Sequence, residues 1–292
     1  MRILDCKSWR YFIQGLTRRL TQVKQCPVCG SSKTTAVDRK FFHTLEQCSG
    51  CGILFRFPRD STAELNEFYQ HEYSQPGLTT ELPSLQELRA LIAAGFKESL
   101  KDFSKIILLF NAIGLEPGDR VLDYGANWGY GTWQFIKAGF DATGYEVSKA
   151  RANFGENLGI HIITDVTRIV GPFDVVYSGH VLEHVGDPAI ILSQHLEWTR
   201  PDGYVLVHTP NGSRARREAQ PQGFRRSWGR VHPVLLTDDF VISQFKEHPF
   251  FLSSTDDPND LGKWDRRSQH IGPVDGPGLF FAIRNSKIMH AL

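Results

Sequence analysis

Four cysteines place the tightest constraint on this chain. They stand as Cys26-Pro-Val-Cys29-Gly and Cys48-Ser-Gly-Cys51-Gly, two Cys-x-x-Cys pairs with 18 residues between them. A turn of that length aims both thiolates of a pair at one point. The glycine that follows each pair, Gly30 or Gly52, relieves the strained backbone. Two such pairs close a tetrahedron around one ion, the structural kind of zinc site, with no open position for chemistry. The stretch between them, with Phe41, Phe42 and Leu45, suits the hairpin of a ribbon over residues 24–58. A module this small is expected to hold its shape through the metal. Cysteines paired in this way fit a reducing, cytoplasmic setting better than a secreted disulfide framework. Cys6 is left over and reads as inert.

The rest of the chain is long enough for one α/β domain beside the ribbon, at 292 residues in all. A formal charge of +1 gives no case for wholesale attraction to nucleic acid or membrane. No apolar run approaches the roughly 18 residues a spanning helix needs. Residues 1–23 carry Trp9, Tyr11, Phe12, Ile13, Leu16 and Leu20 among Arg10, Arg18 and Arg19, the pattern of a basic amphipathic helix. Packing on its own domain and docking to a partner or membrane surface both fit that pattern. Beyond the ribbon, Ser61-Thr-Ala-Glu64 and Ser84-Leu-Gln-Glu87 are capping boxes that open helices. The apolar spacing of Leu85, Leu88, Leu91, Ile92, Phe96, Leu100 and Phe103 predicts a second helix running to about residue 112. A turn at Gln75-Pro-Gly places the boundary between about residues 72 and 84. Residues 59–112 then form a helical linker or cap, and 113–292 the main domain.

From residue 120 short β-type runs alternate with helical stretches, as a parallel α/β sheet requires. Strands are expected at 120–124, 141–145, 160–163, 173–178, 204–209 and 279–283, while 253–278 reads only as a loop. The first strand runs into Asp123-Tyr-Gly125-Ala-Asn127-Trp-Gly129-Tyr-Gly131. A glycine-rich turn there lets a ligand approach the backbone at a helix N-terminus, and Asp123 can bond a cationic or hydroxyl group. Alone, the turn is compatible with a dinucleotide, a flavin or a nucleotide. The second strand narrows the choice by ending in Gly144-Tyr-Glu146, where a carboxylate can meet both ribose hydroxyls of an adenosyl ligand. Asp165 closes the third strand, either near the adenine or as a helix cap.

This series resembles the class I S-adenosylmethionine-dependent methyltransferases over roughly residues 105–285. Phe173-Asp-Val-Val-Tyr-Ser, His180-Val-Leu-Glu183-His184-Val-Gly-Asp-Pro and Arg200-Pro-Asp-Gly-Tyr-Val-Leu-Val-His-Thr-Pro-Asn follow that family's fourth strand, next helix and fifth strand in order. The resemblance implies a Rossmann-like, mostly parallel sheet with an antiparallel last strand and helices on both faces. It also implies S-adenosylmethionine bound by Asp123, Gly125, Asn127, Gly129, Glu146 and Asp165. Asn127 stands where the family has a glycine; asparagine is the side chain that best tolerates a left-handed backbone. With its ribbon, the chain looks like a subgroup associated with bacterial sugar and natural-product methylation.

The candidate catalytic residues are His180, Glu183, His184 and His232. The first three are expected to open the helix after the fourth strand on one helical face. His-x-x-Glu-His also matches a metalloprotease pattern, but its surroundings are those of a methyltransferase. His180 can act as general base for a hydroxyl acceptor. Alternatively, all four can hold a second divalent metal that positions vicinal hydroxyls. Relatives that methylate RNA ribose carry Glu-x-x-Glu-His in this segment and a histidine after the fifth strand. His at position 180 moves the preference from magnesium toward zinc-like ions. Arg214, Arg216, Arg217, Arg225, Arg226 and Arg230 fall on the loop after the fifth strand, expected to overhang the site and to suit an anionic acceptor such as a nucleotide-linked or phosphorylated sugar. Trp228 and Phe224 are placed to stack on a ring. Three functions follow: O-methylation of a sugar, glycan precursor or secondary metabolite; 2′-O-methylation of RNA; and a non-catalytic docking module that retains the fold.

Overall fold

The computed structural model describes residues 6–68 and 80–286. The chain opens with α1 (Cys6–Thr21) and three antiparallel strands, β1 (Thr34–Lys40), β2 (His43–Cys48) and β3 (Leu54–Phe57). Two capping boxes then start α2 (Thr62–Glu67) and α3 (Leu85–Ala93), with Ser61 paired to Glu64 and Ser84 to Glu87. The turn at Gln75-Pro-Gly, and most of the boundary expected around it, lie outside the described residues. The long helix expected up to residue 112 is two helices. After α3 the backbone turns left-handed at Gly95, Phe96 and Glu98, and α4 (Ser104–Ala112) begins anew. The break buries Phe96 fully, 6.0 Å from the Trp128 ring and 5.4 Å from Trp133. Burial of one such ring contributes about 2 kcal/mol, enough to offset a left-handed residue.

The main sheet follows the sequence expectation and extends it. In chain order come β4 (Arg120–Tyr124), α5 (Tyr130–Lys137), β5 (Asp141–Tyr145), α6 (Lys149–Phe154), β6 (Ile162–Ile163), β7 (Phe173–Gly179), α7 (Pro188–Trp198) and β8 (Thr199–Pro210). The remainder is α8 (Arg214–Ala219), α9 (Pro221–Arg226), β9 (Val234–Leu235), α10 (Asp238–Gln244), β10 (Phe250–Ser253), α11 (Pro258–Lys263), β11 (Gln269–Ile271) and β12 (Gly278–Arg284). Eight strands lie in the order β11-β10-β12-β8-β7-β4-β5-β6, parallel from β8 to β6, with β12 antiparallel to both its neighbours. Both β10 and β11 were hidden in sequence, the first as a four-residue apolar run and the second inside the tract read as a loop.

Adjacent residues of the central strands enter opposite layers. Leu122, Val176, Val205 and Phe281 pack in one core with Phe250, while Val121, Val175, Leu206 and Phe280 pack in the other with Phe110 and Phe135. Both faces are therefore covered, as a parallel sheet demands. The chain order reverses at β4, which is flanked by β5 and β7. The crevice beyond the carboxyl ends of these strands is where such sheets take ligands.

The ribbon is not a free-standing module. Its sheet has a fourth strand, β9, supplied from far along the chain and paired with β3. Its Cys26, Cys51, Ile53 and Phe55 belong to the same core as Leu122 and Phe281. On the outer side α1 lies against the ribbon, with Phe12 edge-on to Phe42 at 5.3 Å and Arg19 donating to the Phe42 carbonyl. Ile13, Leu16 and Leu20 remain exposed. No helix among the described residues is long and apolar enough to cross a membrane.

The arginine-rich loop, expected to overhang the crevice beyond the central strands, instead docks on the ribbon through Arg217, Arg225 and Trp228. Arg225 pairs with Asp38 and the Arg39 carbonyl, Arg217 donates to Gln47, and Trp228 donates to Asp38 at 2.8 Å. Phe224 and Trp228 are buried with Leu45, Leu54 and Leu235, so neither is free to stack on a ligand ring. A register shift between Ala36 and Asp38 explains the fit. The bulge interrupts alternation, so Val37 packs on this cluster while the next residue, Asp38, bonds its tryptophan.

Candidate active site

The turn after β4 adopts the conformation its composition dictates. Gly125, Asn127 and Gly129 are all left-handed, with φ of 89°, 55° and 87°. Asn127 thus meets the requirement in place of glycine. A Cβ on Gly125 would lie 2.2 Å from the branched Val181 side chain. One on Gly129 would meet the flexible tip of Ile160 at 2.3 Å, and there it is the left-handed φ that penalises a side chain. The N–H groups of Gly125 and Ala126 both donate to the Tyr145 carbonyl at 2.8 Å, locking the turn to the end of β5.

Glu146 follows directly and is buried. One carboxylate oxygen accepts from the Asn127 amide at 3.0 Å, the other from the Ser148 amide at 2.8 Å. Arg151 stands 3.9 Å away. Burial raises the Glu146 carboxyl, opposed by these N–H groups and by Arg151. Each oxygen has a further lone pair for a hydroxyl. The two other acids are placed differently. Asp123 lies beneath the turn, accepting from Thr132 at 2.7 Å, and burial raises its carboxyl to about 6. Asp165 is exposed and caps the short turn Val166–Arg168, accepting from the Thr167 amide and hydroxyl.

A cavity of about 910 Å³ opens at this end of the sheet. Gly125, Asn127, Tyr145 and Glu146 line it, as do His180 and His184. Asp123, Gly129, Asp165, Glu183 and His232 do not. The wall also includes Tyr124 and Tyr177, which stand inside the motifs with no role assigned there, and two residues outside any motif, Arg151 and, from the ribbon side, Arg59. Of the basic loop's arginines, none is in the wall.

His180 and its neighbours do not open an α-helix. His180 takes a left-handed φ of 56°, Leu182–His184 form a single 3₁₀ turn, and α7 starts only at Pro188. The tight turn brings His180 Nδ1 to 3.1 Å from Glu183 Oε1. A carboxylate only accepts, so Nδ1 carries the proton and Nε2 is left basic. Glu183 is fully buried and its other oxygen accepts from the Thr209 hydroxyl at 3.1 Å. Burial would raise the Glu183 carboxyl, but the His180 bond and the charges of His184 and His232 outweigh it and hold it down to about 2. The same bond raises His180.

Glu183, His184 and His232 each offer one ligand atom, all within 4.8 Å of one another. His184 Nδ1 faces the Val231 carbonyl at 2.8 Å and His232 Nδ1 the Ser227 carbonyl at 2.7 Å. Each ring is oriented through Nδ1, and His184 Nε2 faces Glu183 Oε1 at 4.0 Å. A backbone bond at one ring nitrogen is how metal-ligating histidines are commonly oriented. His180 stands outside this triad, bonded to Glu183. In the ribbon, the four cysteine sulfurs also lie within 4.8 Å of one another. The two turns match: Gly30 donates to the Cys26 carbonyl and Gly52 to the Cys48 carbonyl, with φ of 69° and 80°.

A parallel sheet reversing at its first strand, an antiparallel strand slotted beside the fifth, a glycine turn and a strand-end acid define the class I S-adenosylmethionine-dependent methyltransferases. The family described as methyltransferase domain matches residues 96–255, and the chain belongs to it. Phosphoethanolamine N-methyltransferase 3 of Arabidopsis thaliana is 27% identical over 128 residues, which is 40% of this chain and 25% of that protein. Phosphoethanolamine N-methyltransferase 1 of Zea mays is 27% identical over 127 residues, 40% of this chain and 24% of that protein. The chain therefore matches only about a quarter of these relatives' length. The plantazolicin methyltransferase BamL, solved with a triazolic desmethylPZN analog and SAH, superposes with a TM-score of 0.51 at 14% identity, covering 77% of this chain and 95% of that one. BpumL with a pentazolic analog and SAH gives 0.51 at 12%, covering 77% and 96%. These two likenesses are of fold.

Proposed function

We propose that the chain transfers a methyl group from S-adenosylmethionine to a hydroxyl of a small polar acceptor, a sugar, glycan precursor or secondary metabolite. The observation that carries this reading is the His180–Glu183 pair at the wall of the cavity that Glu146 also lines. The residues present fit the cofactor: Glu146 is a buried carboxylate with capacity for ribose hydroxyls, beside a turn with left-handed backbone at Gly125, Asn127 and Gly129. Glu146 would hold the ribose and Gly125 to Asn127 the neighbouring backbone-bound end. Asp123 supports the turn from below, and Asp165 serves as a cap. When bound, the sulfonium supplies an electrophilic methyl. His180 Nε2 takes the acceptor proton, and Glu183 holds the ring in the required tautomer and offsets the charge that develops on it. The tyrosine-lined cavity fixes the acceptor in line and excludes water.

The ribbon cysteines are read as a closed structural zinc site. A second reading of the reaction rests on the triad of Glu183, His184 and His232. A divalent ion held there would position vicinal hydroxyls, the chemistry of RNA ribose 2′-O-methylation. The deciding experiment is calorimetric titration with S-adenosylhomocysteine, with bound metal counted on the same sample. Micromolar binding with one zinc per chain supports the first reading. Two metals per chain, with RNA turnover abolished by a chelator that leaves the ribbon loaded, favours the second. No binding by folded protein sinks both.

A further inference from the structure

The cavity wall carries three carboxylates among the described residues, Asp60, Glu146 and Asp187, and each is engaged. Asp60 meets Arg56, Arg18 and the Tyr11 hydroxyl. Glu146 binds two backbone amides beside Arg151. Asp187 caps α7 through the Ala189 amide. Of the two arginines in the wall, Arg151 stands beside Glu146. Arg59 is the other, and its guanidinium has no hydrogen-bond or ion-pair partner among the described residues. Its backbone, in contrast, is gripped: the Gln22 side chain accepts from the Arg59 amide at 2.7 Å and donates to its carbonyl at 3.3 Å. The next residue, Asp60, is fixed by the buried Arg56. A half-buried cation is thus held by its main chain at the wall of a ligand cavity with its fork uncommitted.

We infer that Arg59 anchors an oxyanion, phosphate or carboxylate, carried by the methyl acceptor. The inference rests on the reading that this cavity takes cofactor and acceptor together. At about 910 Å³ it is near the top of the range for single-ligand sites, so a second molecule has room. A planar guanidinium binds either oxyanion through two parallel N–H bonds, and the low-dielectric wall strengthens them. The ribbon side then reads the acceptor while the sheet side holds the cofactor.

The test uses the full, metal-loaded chain saturated with S-adenosylhomocysteine and titrated with benzyl phosphate, phenylacetate and benzyl alcohol. The expected result is that at least one anion binds about 10-fold or more tightly than the alcohol. Arg59→Ala should erase that preference, Arg59→Glu should reverse it, and Arg59→Lys should keep part of it, all with unchanged S-adenosylhomocysteine affinity. Stronger binding of the phosphate assigns a phosphorylated acceptor, and stronger binding of phenylacetate a carboxylated one. Equal binding of anions and alcohol by the unaltered chain, or a preference that survives Arg59→Ala, overturns the inference. Failure of the unaltered chain to bind S-adenosylhomocysteine would instead overturn the function on which it rests.

Discussion

The two sheets of this protein are held in different ways. The eight-stranded sheet is covered on both faces by apolar layers, and its central strands are fully buried at Val121, Leu122, Val175, Val176, Val205 and Leu206. The four-stranded ribbon sheet has one long strand, β1, with no buried residue at all. It is closed by four clustered thiols, by a short borrowed strand and by a loop whose Arg225 and Trp228 reach back to Asp38. A large sheet can rely on area removed from water, but a small one needs cross-links from elsewhere. The consequence is that the better-packed sheet carries the glycine turn, while the chain leaving the cross-linked one brings Arg59 to the same cavity.

The largest test of that contrast is Cys48→Ser. Loss of one of four thiolates should weaken ribbon metal binding by several kcal/mol out of the roughly 10–16 that a complete structural site supplies. Metal bound by the ribbon should fall and amide exchange should rise over residues 34–57. Residues 120–124 and 175–178 should stay protected; equal loss of protection in both would show one cooperative unit. Next in size is His180→Ala, expected to slow turnover about 10²–10⁴-fold with cofactor affinity intact. Near-normal turnover would leave His180 as pocket lining. Glu146→Ala should weaken S-adenosylhomocysteine binding by about 1–3 kcal/mol, read by calorimetry. Unchanged affinity would remove the ribose from this end of β5. Asp38→Ala, which cuts the Trp228 and Arg225 contacts at a partly exposed site, should lower stability by only about 1 kcal/mol in a denaturant melt. No change would mean that the buried Phe224 cluster alone docks the loop.

The smallest effect is a displaced midpoint. Because Glu183 raises His180, the rate should climb with pH through a midpoint above 6.5, the ordinary imidazole value. Glu183→Gln should move that midpoint down. For stability the sign is opposite. The His180–Glu183 pair contributes fully between the ordinary carboxyl value of 4.5 and the imidazole's 6.5. Its contribution fades as pH rises through the raised His180 value and as pH falls toward the depressed Glu183 value of about 2. An unmoved midpoint in Glu183→Gln would separate the titrating group from this pair.

Local chemistry was readable in the residues. The cysteine pairs, the capping boxes at Ser61 and Ser84, the left-handed tolerance of Asn127 and the strand ends at Asp123 and Glu146 depend on neighbours a few positions away. What sequence concealed was long-range. Six arginines after the fifth strand looked like a substrate clamp because the partners of Arg217 and Arg225, Gln47 and Asp38, lie more than 150 residues earlier. Arg59 drew no attention because a lone arginine before a capping box is ordinary; its meaning comes from the cavity on which it borders. The helix at residues 84–112 was overextended because apolar spacing does not register Gly95 and Phe96 leaving the helix to fill the space against Trp128. Likewise, His180, Glu183 and His184 have helical spacing, yet the left-handed turn at His180 sets their actual geometry.

The borrowed strand also sets a timetable for synthesis. Phe55 meets Val234, a partner made about 180 residues later. At about 5–20 residues per second, β3 waits on the order of ten seconds or more for β9 to emerge. Throughout that interval the nascent chain presents an unpaired edge and an uncovered Leu45 and Leu54. Early capture of the ion by Cys26, Cys29, Cys48 and Cys51 would shape that intermediate before its last strand arrives. On the proposed zinc reading, cells short of that metal should lose this protein at birth, to aggregation or proteolysis, more readily than they lose the finished molecule.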